Sequence, residues 1–410
     1  MRRCVFLFVV MVTGLAAGPG AAADWPQWRG PARDGRIPDL KPRALWPAAL
    51  KPGWTVKVGI GHASPIVVDQ RVFVFSREGE DEVVRALDLA TGREAWRQSY
   101  PAPYTMNPAA SGHGKGPKST PVWADGKLFT FGISGILSAW DGASGRSLWR
   151  KQFGQYRQSS PSYGVAMSPL VDRGVLFVHA GGEGDGALTA LDAATGSVKW
   201  TWKGDGPGYA SPVAGDIAGV RQVVTQTQAK LVGLSADAGQ LLWSVPFTTS
   251  YDQNAVTPIL LGDLVIYGGL DQPMRALRVV RRGAAYATEP VWENAEVASY
   301  LSSPVLADGS IYGLSHRKKG QYYRLDAQTG KTVWLSEGRQ ADSAAIETGG
   351  GALFVLDTEG ELSVAPLGGS AFTPLRTWTV ASSATWAHPV VTDSAILVKS
   401  VDTLALWRMD

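Results

Sequence analysis

Aromatic and polar residues that could bind a ligand recur just before short apolar runs of the chain. The aromatic ones could stack on a planar or sugar ligand, or could line the mouth of a channel. They are Tyr163, Tyr209, Tyr251, Tyr300 and Trp386. The polar ones could exchange hydrogen bonds with a ligand. They are Lys115, Lys118, Asp252, Gln253, Asn254 and His388.

A wider group of polar residues occupies equivalent or neighbouring loops and has ordinary structural interpretations as well. Asp and Asn are common loop residues, and the basic run that begins at His316 is typical of a solvated hairpin tip. The wider group consists of His62, Glu183, Asp185, Asp271, His316, Arg317 and Asp342.

Two glycine-rich segments imitate known binding motifs without completing them. The run from Gly112 to Thr120 resembles a phosphate-binding loop, but Pro117 interrupts it and a strand follows where a helix is needed. It could instead place Lys115 or Lys118 over a channel mouth. The run from Gly181 to Gly186 has too few oxygen donors for calcium and is typical of a hairpin turn, so we predict no metal site.

Motifs for catalysis are also absent from the sequence. The five histidines form no H-E-x-x-H pair, and no G-x-S-x-G elbow occurs. The single cysteine, Cys4, lies in the amino-terminal segment, so a mature chain without that segment has no thiol for disulfides, thiolate metal sites or nucleophilic catalysis.

The amino-terminal segment, residues 1–23, has the pattern of a secretory signal peptide. Arg2 and Arg3 precede an apolar run that is too short to span a membrane, and small residues lead up to Asp24. Because Cys4 precedes the apolar run, we expect no lipid anchor. The sequence predicts a periplasmic or secreted protein without a transmembrane segment. A net charge of +3, from 39 basic and 36 acidic residues, excludes nucleic acid as an expected partner.

The elements that must position these residues are repeated hairpins. Five copies of one unit have four residues from Asp or Ser to Gly and four more from Gly to Trp, as in Asp192, Gly196 and Trp200. The Asp or Ser side chain can accept turn N–H groups, and Gly supplies a positive φ. The Trp then lies in the outer strand of the hairpin, where it can anchor a neighbouring copy.

The repeats predict an all-β, eight-bladed β-propeller of four-stranded antiparallel blades over residues 24–410. Eight tryptophans recur at intervals of 42 to 53 residues, from Trp54 to Trp378. Ser-Pro, Thr-Pro or His-Pro pairs open the inner strands. Trp54 has no preceding strands and the carboxy terminus has three without a fourth, so we expect the two terminal segments to pair and close the ring.

The run from Ala190 to Trp200 resembles the tryptophan-docking motif of the pyrroloquinoline-quinone (PQQ) repeat propellers. The segment from Asp24 to Pro31 is similar to exported bacterial members of that family. The resemblance spans residues 24–410 and implies one of two roles. Quinoprotein dehydrogenases hold PQQ near the ring axis, usually with calcium and an Asp base, and many stack two adjacent cysteines on the quinone, opposite a Trp. An outer-membrane β-barrel assembly factor is an eight-bladed lipoprotein that binds protein.

The favoured hypothesis is an exported, monomeric binding scaffold without a cofactor. Its ligand would be a protein, a small molecule or a glycan at the face where the candidate loops converge. The alternative is a PQQ-dependent oxidoreductase acting on an alcohol or sugar, with calcium, an Asp base such as Asp252, and Trp386 stacked on the quinone. The chain has no cysteine pair for that stack.

Overall fold

Eight four-stranded antiparallel sheets form a ring in the computed structural model, which describes residues 24–410. The prediction of an eight-bladed β-propeller is confirmed. The predicted signal peptide, residues 1–23, lies outside the described residues. Within residues 24–410, no helix has the length and apolarity needed to cross a membrane.

The strands follow one another through the blades in chain order. The first strand, β1 (Lys51–Lys57), belongs to the last blade. Blade 1 contains β2 (Ile66–Val68), β3 (Arg71–Glu78), β4 (Asp81–Asp88) and β5 (Glu94–Pro101). Blade 2 contains β6 (Val122–Ala124), β7 (Lys127–Phe131), β8 (Leu137–Asp141) and β9 (Ser147–Lys151). Blade 3 contains β10 (Leu170–Asp172), β11 (Val175–Gly182), β12 (Asp185–Asp192) and β13 (Val198–Trp202).

The remaining blades repeat this arrangement. Blade 4 contains β14 (Val213–Ile217), β15 (Val220–Gln226), β16 (Lys230–Ser235) and β17 (Leu241–Pro246). Blade 5 contains β18 (Ile259–Leu261), β19 (Leu264–Gly269), β20 (Gln272–Arg282) and β21 (Ala285–Asn294). Blade 6 contains β22 (Val305–Ala307), β23 (Ser310–Ser315), β24 (Gln321–Asp326) and β25 (Thr332–Leu335). Blade 7 contains β26 (Ala344–Gly349), β27 (Ala352–Asp357), β28 (Glu361–Pro366) and β29 (Arg376–Thr379).

Blade 8 combines both ends of the chain, as predicted. It contains β30 (Val390–Val391), β31 (Ala395–Lys399) and β32 (Thr403–Arg408), and β1 adds the outer strand. The pairing of β1 with β32 is antiparallel and runs from Lys57 opposite Thr403 to Lys51 opposite Arg408. Short 3-10 segments at Pro108–His113, Ser250–Asp252 and Arg317–Lys319 lie in the connections.

The repeated turn works as its residue types predict. In blade 3, Asp192 Oδ1 accepts the Thr195 N–H at 2.9 Å and the Thr195 hydroxyl at 2.9 Å. These hydrogen bonds hold the pKa of Asp192 below its ordinary value. Gly196 completes the turn with a φ of 72°, a conformation that favours glycine.

Six of the eight outer-strand tryptophans reach the turn of the next blade. The Trp149 indole lies against Gly196, and its Nε1 donates to the Ala193 carbonyl at 3.4 Å. The same contact joins Trp54 to Gly92, Trp96 to Gly145, Trp200 to Gly239 and Trp292 to Gly330. Trp243 and Trp378 are the exceptions. The blade after Trp243 has a long hairpin with Gly283 at its tip in place of the short turn, and Trp243 Nε1 donates within its own blade to Gln222 Oε1 at 2.7 Å. In blade 8 the two ends of the chain replace the turn, and Trp378 Nε1 donates to the Pro47 carbonyl at 3.2 Å.

Serine and threonine hydroxyls link the inner strands around the channel. The Thr120 N–H donates to Ser168 Oγ at 3.0 Å, and the Ser168 N–H donates to Ser211 Oγ at 2.9 Å. The His388 N–H donates to Ser64 Oγ at 2.8 Å and so joins blade 8 to blade 1. The Ser-Pro and Thr-Pro pairs therefore connect neighbouring blades as well as opening strands.

Residues 24–37, which we call the plug, occupy the central channel. Trp25 pairs with Val67 in blade 1, and Arg33 donates to the Ser168 carbonyl in blade 3 at 3.0 Å. Arg29 donates to the Pro304 carbonyl at the start of blade 6 at 2.5 Å. The two arginines are 1% and 3% exposed, so backbone carbonyls replace their lost hydration.

Removing Val401 to Asp410 should lower the melting temperature of the whole ring. The deletion removes β32, so β1 loses its partner and β31 becomes an open edge. Differential scanning calorimetry measures the effect, with removal of Asp410 alone as the control. A truncated chain that melts like the full-length one would contradict closure by the two ends.

Gly196→Ala should lower the unfolding free energy by about 1–3 kcal/mol more than Gly174→Ala. The two glycines have φ values of 72° and 78°, so both substitutions strain the backbone similarly. A Cβ at Gly196 would lie 2.8 Å from the Trp149 ring, whereas one at Gly174 meets nothing within 4 Å. Denaturant melts of both variants measure the difference, and equal losses would show that the indole contact contributes nothing.

Candidate functional site

A cavity of about 250 Å³ opens at one end of the channel. Seven of the eight connections from an outer strand to the next inner strand contribute to its wall, and Trp28 of the plug lines it from within the channel. The predicted candidates in the wall are His62, Lys118, Tyr163, Tyr209, Gln253, Tyr300 and Trp386. The structure therefore brings together residues that are far apart in sequence.

Tyrosines from three connections line the cavity, and the connection between those of Tyr209 and Tyr300 contributes Gln253. The rings of Tyr163 and Tyr209 have centroids 5.9 Å apart, and the Tyr163 N–H donates to the Tyr209 hydroxyl at 3.3 Å. The Tyr300 hydroxyl donates to Gln253 Oε1. Burial raises the pKa of both Tyr209 and Tyr300, so these phenols are neutral at physiological pH.

An aromatic cluster of Trp386, His113 and His62 forms another part of the wall. The Trp386 ring centroid lies 4.8 Å from that of His113 and 5.7 Å from that of His62. The His62 ring nitrogen Nε2 is 3.0 Å from the His113 carbonyl. Burial, with the Lys399 charge nearby, lowers the pKa of His62 to about 3, and burial also lowers that of His113. Both imidazoles are therefore neutral at pH 7.

Lys118 is the one charged side chain among the residues that line the cavity. Its Nζ donates to the Tyr163 carbonyl at 2.8 Å. Burial lowers the pKa of Lys118 to about 8. The ammonium is thus largely protonated at neutral pH, but it is poorly solvated.

Asn254 and His388 lie outside the cavity wall because the fold uses them internally. Asn254 is fully buried, and its Nδ2 donates to the Thr227 and Phe247 carbonyls at 2.8 Å each. The backbone carbonyl of Asn254 accepts the Tyr209 N–H, so Asn254 positions that tyrosine. His388 is buried with its Nδ1 3.2 Å from Glu347 Oε1, and burial lowers the pKa of His388 to about 3.

Three other predicted residues lie on the surface and not in the wall. Lys115 has its Nζ 3.9 Å from Glu80 Oε1. Tyr251 is 77% exposed, and Asp252 Oδ2 accepts from Gln228 at 3.2 Å.

Most members of the wider group of candidates form hydrogen bonds that hold loops in place. Glu183 Oε1 accepts the Ser162 N–H at 2.7 Å, and Asp185 Oδ2 accepts the Arg157 N–H at 2.7 Å. His316 Nε2 lies 2.8 Å from Asp271 Oδ1. Arg317 donates to the Ala295 carbonyl at 2.5 Å. Asp342 is not among the cavity residues.

Sequence reasoning missed Trp28 and His113. The Trp28 indole lies edge-on to His388 at 4.5 Å, and its Nε1 donates to Thr257 Oγ1 at 3.4 Å. Nothing local in the sequence reveals that this segment enters the channel. The Gly-rich run did indicate the loop that carries His113, although it pointed to the lysines and not to the imidazole.

Calcium and PQQ do not fit the donor set of this cavity. Calcium takes about six to eight oxygen ligands, usually including carboxylates, and no Asp or Glu lines the wall. PQQ carries several carboxylates, which Lys118 alone faces. Throughout residues 24–410, no group of three or more His, Cys, Asp or Glu side chains is arranged to hold a metal ion.

The ring of eight blades, the indole contacts and the repeated turns define a PQQ-repeat β-propeller. The model of the family described as outer membrane protein assembly factor BamB matches residues 43–106 and 80–336. The chain belongs to this family.

Individual relatives agree with that assignment. BamB of Shewanella oneidensis is 25% identical over 254 residues, which cover 58% of this chain and 61% of that protein. The structure of BamB from Moraxella catarrhalis has a TM-score of 0.61 at 15% identity and covers 88% of this chain and 100% of that one. Quinohemoprotein alcohol dehydrogenase from Comamonas testosteroni has a TM-score of 0.70 at 15% identity, covering 94% and 80%. These structural likenesses show the fold alone.

Purified protein mixed with PQQ and calcium should show no saturable change in quinone absorbance and no dye reduction with an alcohol panel. The reason is the lack of carboxylate ligands in the cavity wall. A titration followed by absorbance, with an authentic quinoprotein as the positive control, measures this. Calcium-dependent binding with turnover would establish the dehydrogenase alternative instead.

Proposed function

We propose that this protein is a non-catalytic binding scaffold that presents the cavity end of its propeller to a partner protein. The observation that carries the proposal is the character of the cavity. Aromatic rings and neutral polar groups from seven connections surround a single lysine, without an Asp, Glu or Cys in the wall. Such a wall suits recognition, whereas hydrolysis or oxidation calls for a base, a nucleophile or a metal.

Exposed apolar side chains near the cavity mouth support a protein partner. We call Ile60, Tyr251 and Leu301 the mouth rim. Leu301 lines the cavity and is 43% exposed, and Ile60 lies in the same connection as His62. Tyr251 has a φ of 61°, which is costly for a non-glycine residue. Large apolar side chains held exposed around a pocket are typical anchors of protein interfaces.

The family supports the cellular setting of this proposal. Its description, and the name of the Shewanella oneidensis relative, is outer membrane protein assembly factor. We therefore propose that the chain works in the bacterial cell envelope, in the assembly of outer membrane proteins. In this proposal residues 1–23 are a cleaved export signal, and residues 24–410 act as one monomeric propeller on the periplasmic side.

The quinoprotein oxidoreductase alternative has support from fold likeness and from a partial sequence likeness to the quinohemoprotein alcohol dehydrogenase of Comamonas testosteroni. Asp252, its candidate base, lies outside the cavity wall and accepts a hydrogen bond from Gln228. Trp386 does line the cavity, but it packs against two imidazoles.

Photo-crosslinking in the source bacterium tests the scaffold proposal. With p-benzoylphenylalanine in place of Tyr251, we expect crosslinks to an outer membrane protein or to a component of its assembly machinery. The matched control places the same residue at Ala194, which is exposed in the Asp192–Gly196 turn at the opposite end of the propeller. Equal crosslinking at both positions, or none at Tyr251, would contradict a partner at the cavity end.

A further inference from the structure

The charge inside the cavity is unbalanced. Lys118 is the one charged side chain in the wall, and no carboxylate offsets the effect of burial on it. A lysine ammonium has three N–H donors, and one of them donates to the Tyr163 carbonyl at 2.8 Å. The ammonium can therefore donate further hydrogen bonds to a ligand.

The groups around Lys118 allow one negative charge but disfavour several. His62 and His113 are neutral and provide no second positive charge. Glu183 lies just behind the tyrosines, with its Oε1 3.5 Å from the Tyr209 hydroxyl. In a ligand with two or more negative charges, one charge could pair with the Lys118 ammonium, and the Glu183 carboxylate would repel the others.

The rest of the wall is aromatic and apolar, with the neutral polar side chains of Ser211, Gln253, Thr257 and Ser303 among them. Trp28, Trp386 and the tyrosines present ring faces or edges, and Leu301 and several alanines fill the gaps between them. A volume of about 250 Å³ is slightly below the usual range of ligand pockets, so it suits one ring or branched chain.

We infer that the cavity binds a single carboxylate attached to a compact aromatic or aliphatic group. The carboxylate would lie at the Lys118 ammonium, and the apolar group would lie among Trp28, Trp386 and Tyr300. Two sources have this chemistry: a free aromatic acid, and the carboxyl terminus of a protein whose last residue is apolar. The inference deepens the proposed function. It rests on that function only if the ligand is the carboxyl terminus of a protein.

Isothermal titration calorimetry with 3-phenylpropanoate and its uncharged amide tests the ligand class on the mature protein. We expect the acid to bind and the amide to bind about tenfold to a hundredfold more weakly, as loss of a charge-assisted hydrogen bond implies. Lys118→Met should weaken the acid by the same factor and leave the amide unchanged. Lys115→Met, in the same connection but outside the cavity wall, is the matched control and should bind like the parent.

Acid and amide binding with equal affinity, or acid binding unaffected by Lys118→Met, would overturn the inference. So would the absence of acid binding to a parent protein whose melting curve is normal. In that case crosslinking at Tyr251 would still decide the scaffold proposal independently.

The affinity for 3-phenylpropanoate should also depend on pH. The free protein loses the Lys118 proton near pH 8, so affinity should fall up to about tenfold for each pH unit above that point. His62, His113, Tyr209 and Tyr300 face the cavity and are neutral from pH 7 to 9, by the directions of their pKa shifts. Lys399 has a pKa of about 7, but its ammonium is buried behind His62, where it donates to backbone carbonyls. If the affinity of Lys118→Met no longer falls above pH 8, the fall in the parent protein is due to Lys118. If the affinity of Lys118→Met still falls above pH 8, that result counts against the inference.

The peptide Gly-Gly-Phe, with a free or an amidated carboxyl terminus, distinguishes the two sources. Binding of the free form and not the amide supports a chain end as the occupant. If 3-phenylpropanoate binds and both peptides fail, the cavity accepts a small free acid and the chain-end source is rejected.

Discussion

The contact between an indole of one blade and a glycine of the next is the interaction on which the ring depends. It makes one residue satisfy two demands at once. Gly196 must adopt a positive φ to close its own turn, and it must also leave room for the Trp149 ring. Since each blade fixes the next, the inner strands stand at set distances, and their connections meet at one end of the channel. The cavity is a product of that spacing.

The features that sequence could predict are those encoded by local repetition. Asp, Gly and Trp at fixed spacing predict a turn, a hairpin and a blade, and the incomplete ends predict closure. The plug has no such signal, because Arg29 and Arg33 meet carbonyls of residues 304 and 168 that only the closed ring brings near. Prediction from sequence has the same limit for single residues within a loop. Gln253 reaches the cavity, whereas the neighbouring Asn254 turns inward to hold backbone carbonyls.

Burial explains why most titratable side chains of the cavity are uncharged. Histidines and tyrosines that titrate in other settings are held neutral here, since desolvation disfavours their charged forms. Beneath the cavity, Glu347 is fully buried, and desolvation raises its pKa well above the ordinary value even though Arg29 acts in the opposite direction. Among the side chains that line the cavity, Lys118 alone is charged. In the proposed role, this wall would recognise shape and a single charge.

Pairing of β1 with β32 has a consequence for how the protein matures. The first strand of the ring cannot find its partner until the last strand has been made, so a nascent chain has a gap where blade 8 should be. Contacts between such distant parts of a sequence form slowly. The plug also precedes β1 in the chain, and its contacts with blades 1, 3 and 6 require those blades to be in place. Closure of the ring therefore awaits synthesis of β32, and a chain that lacks this strand leaves β1 and β31 with unpaired edges.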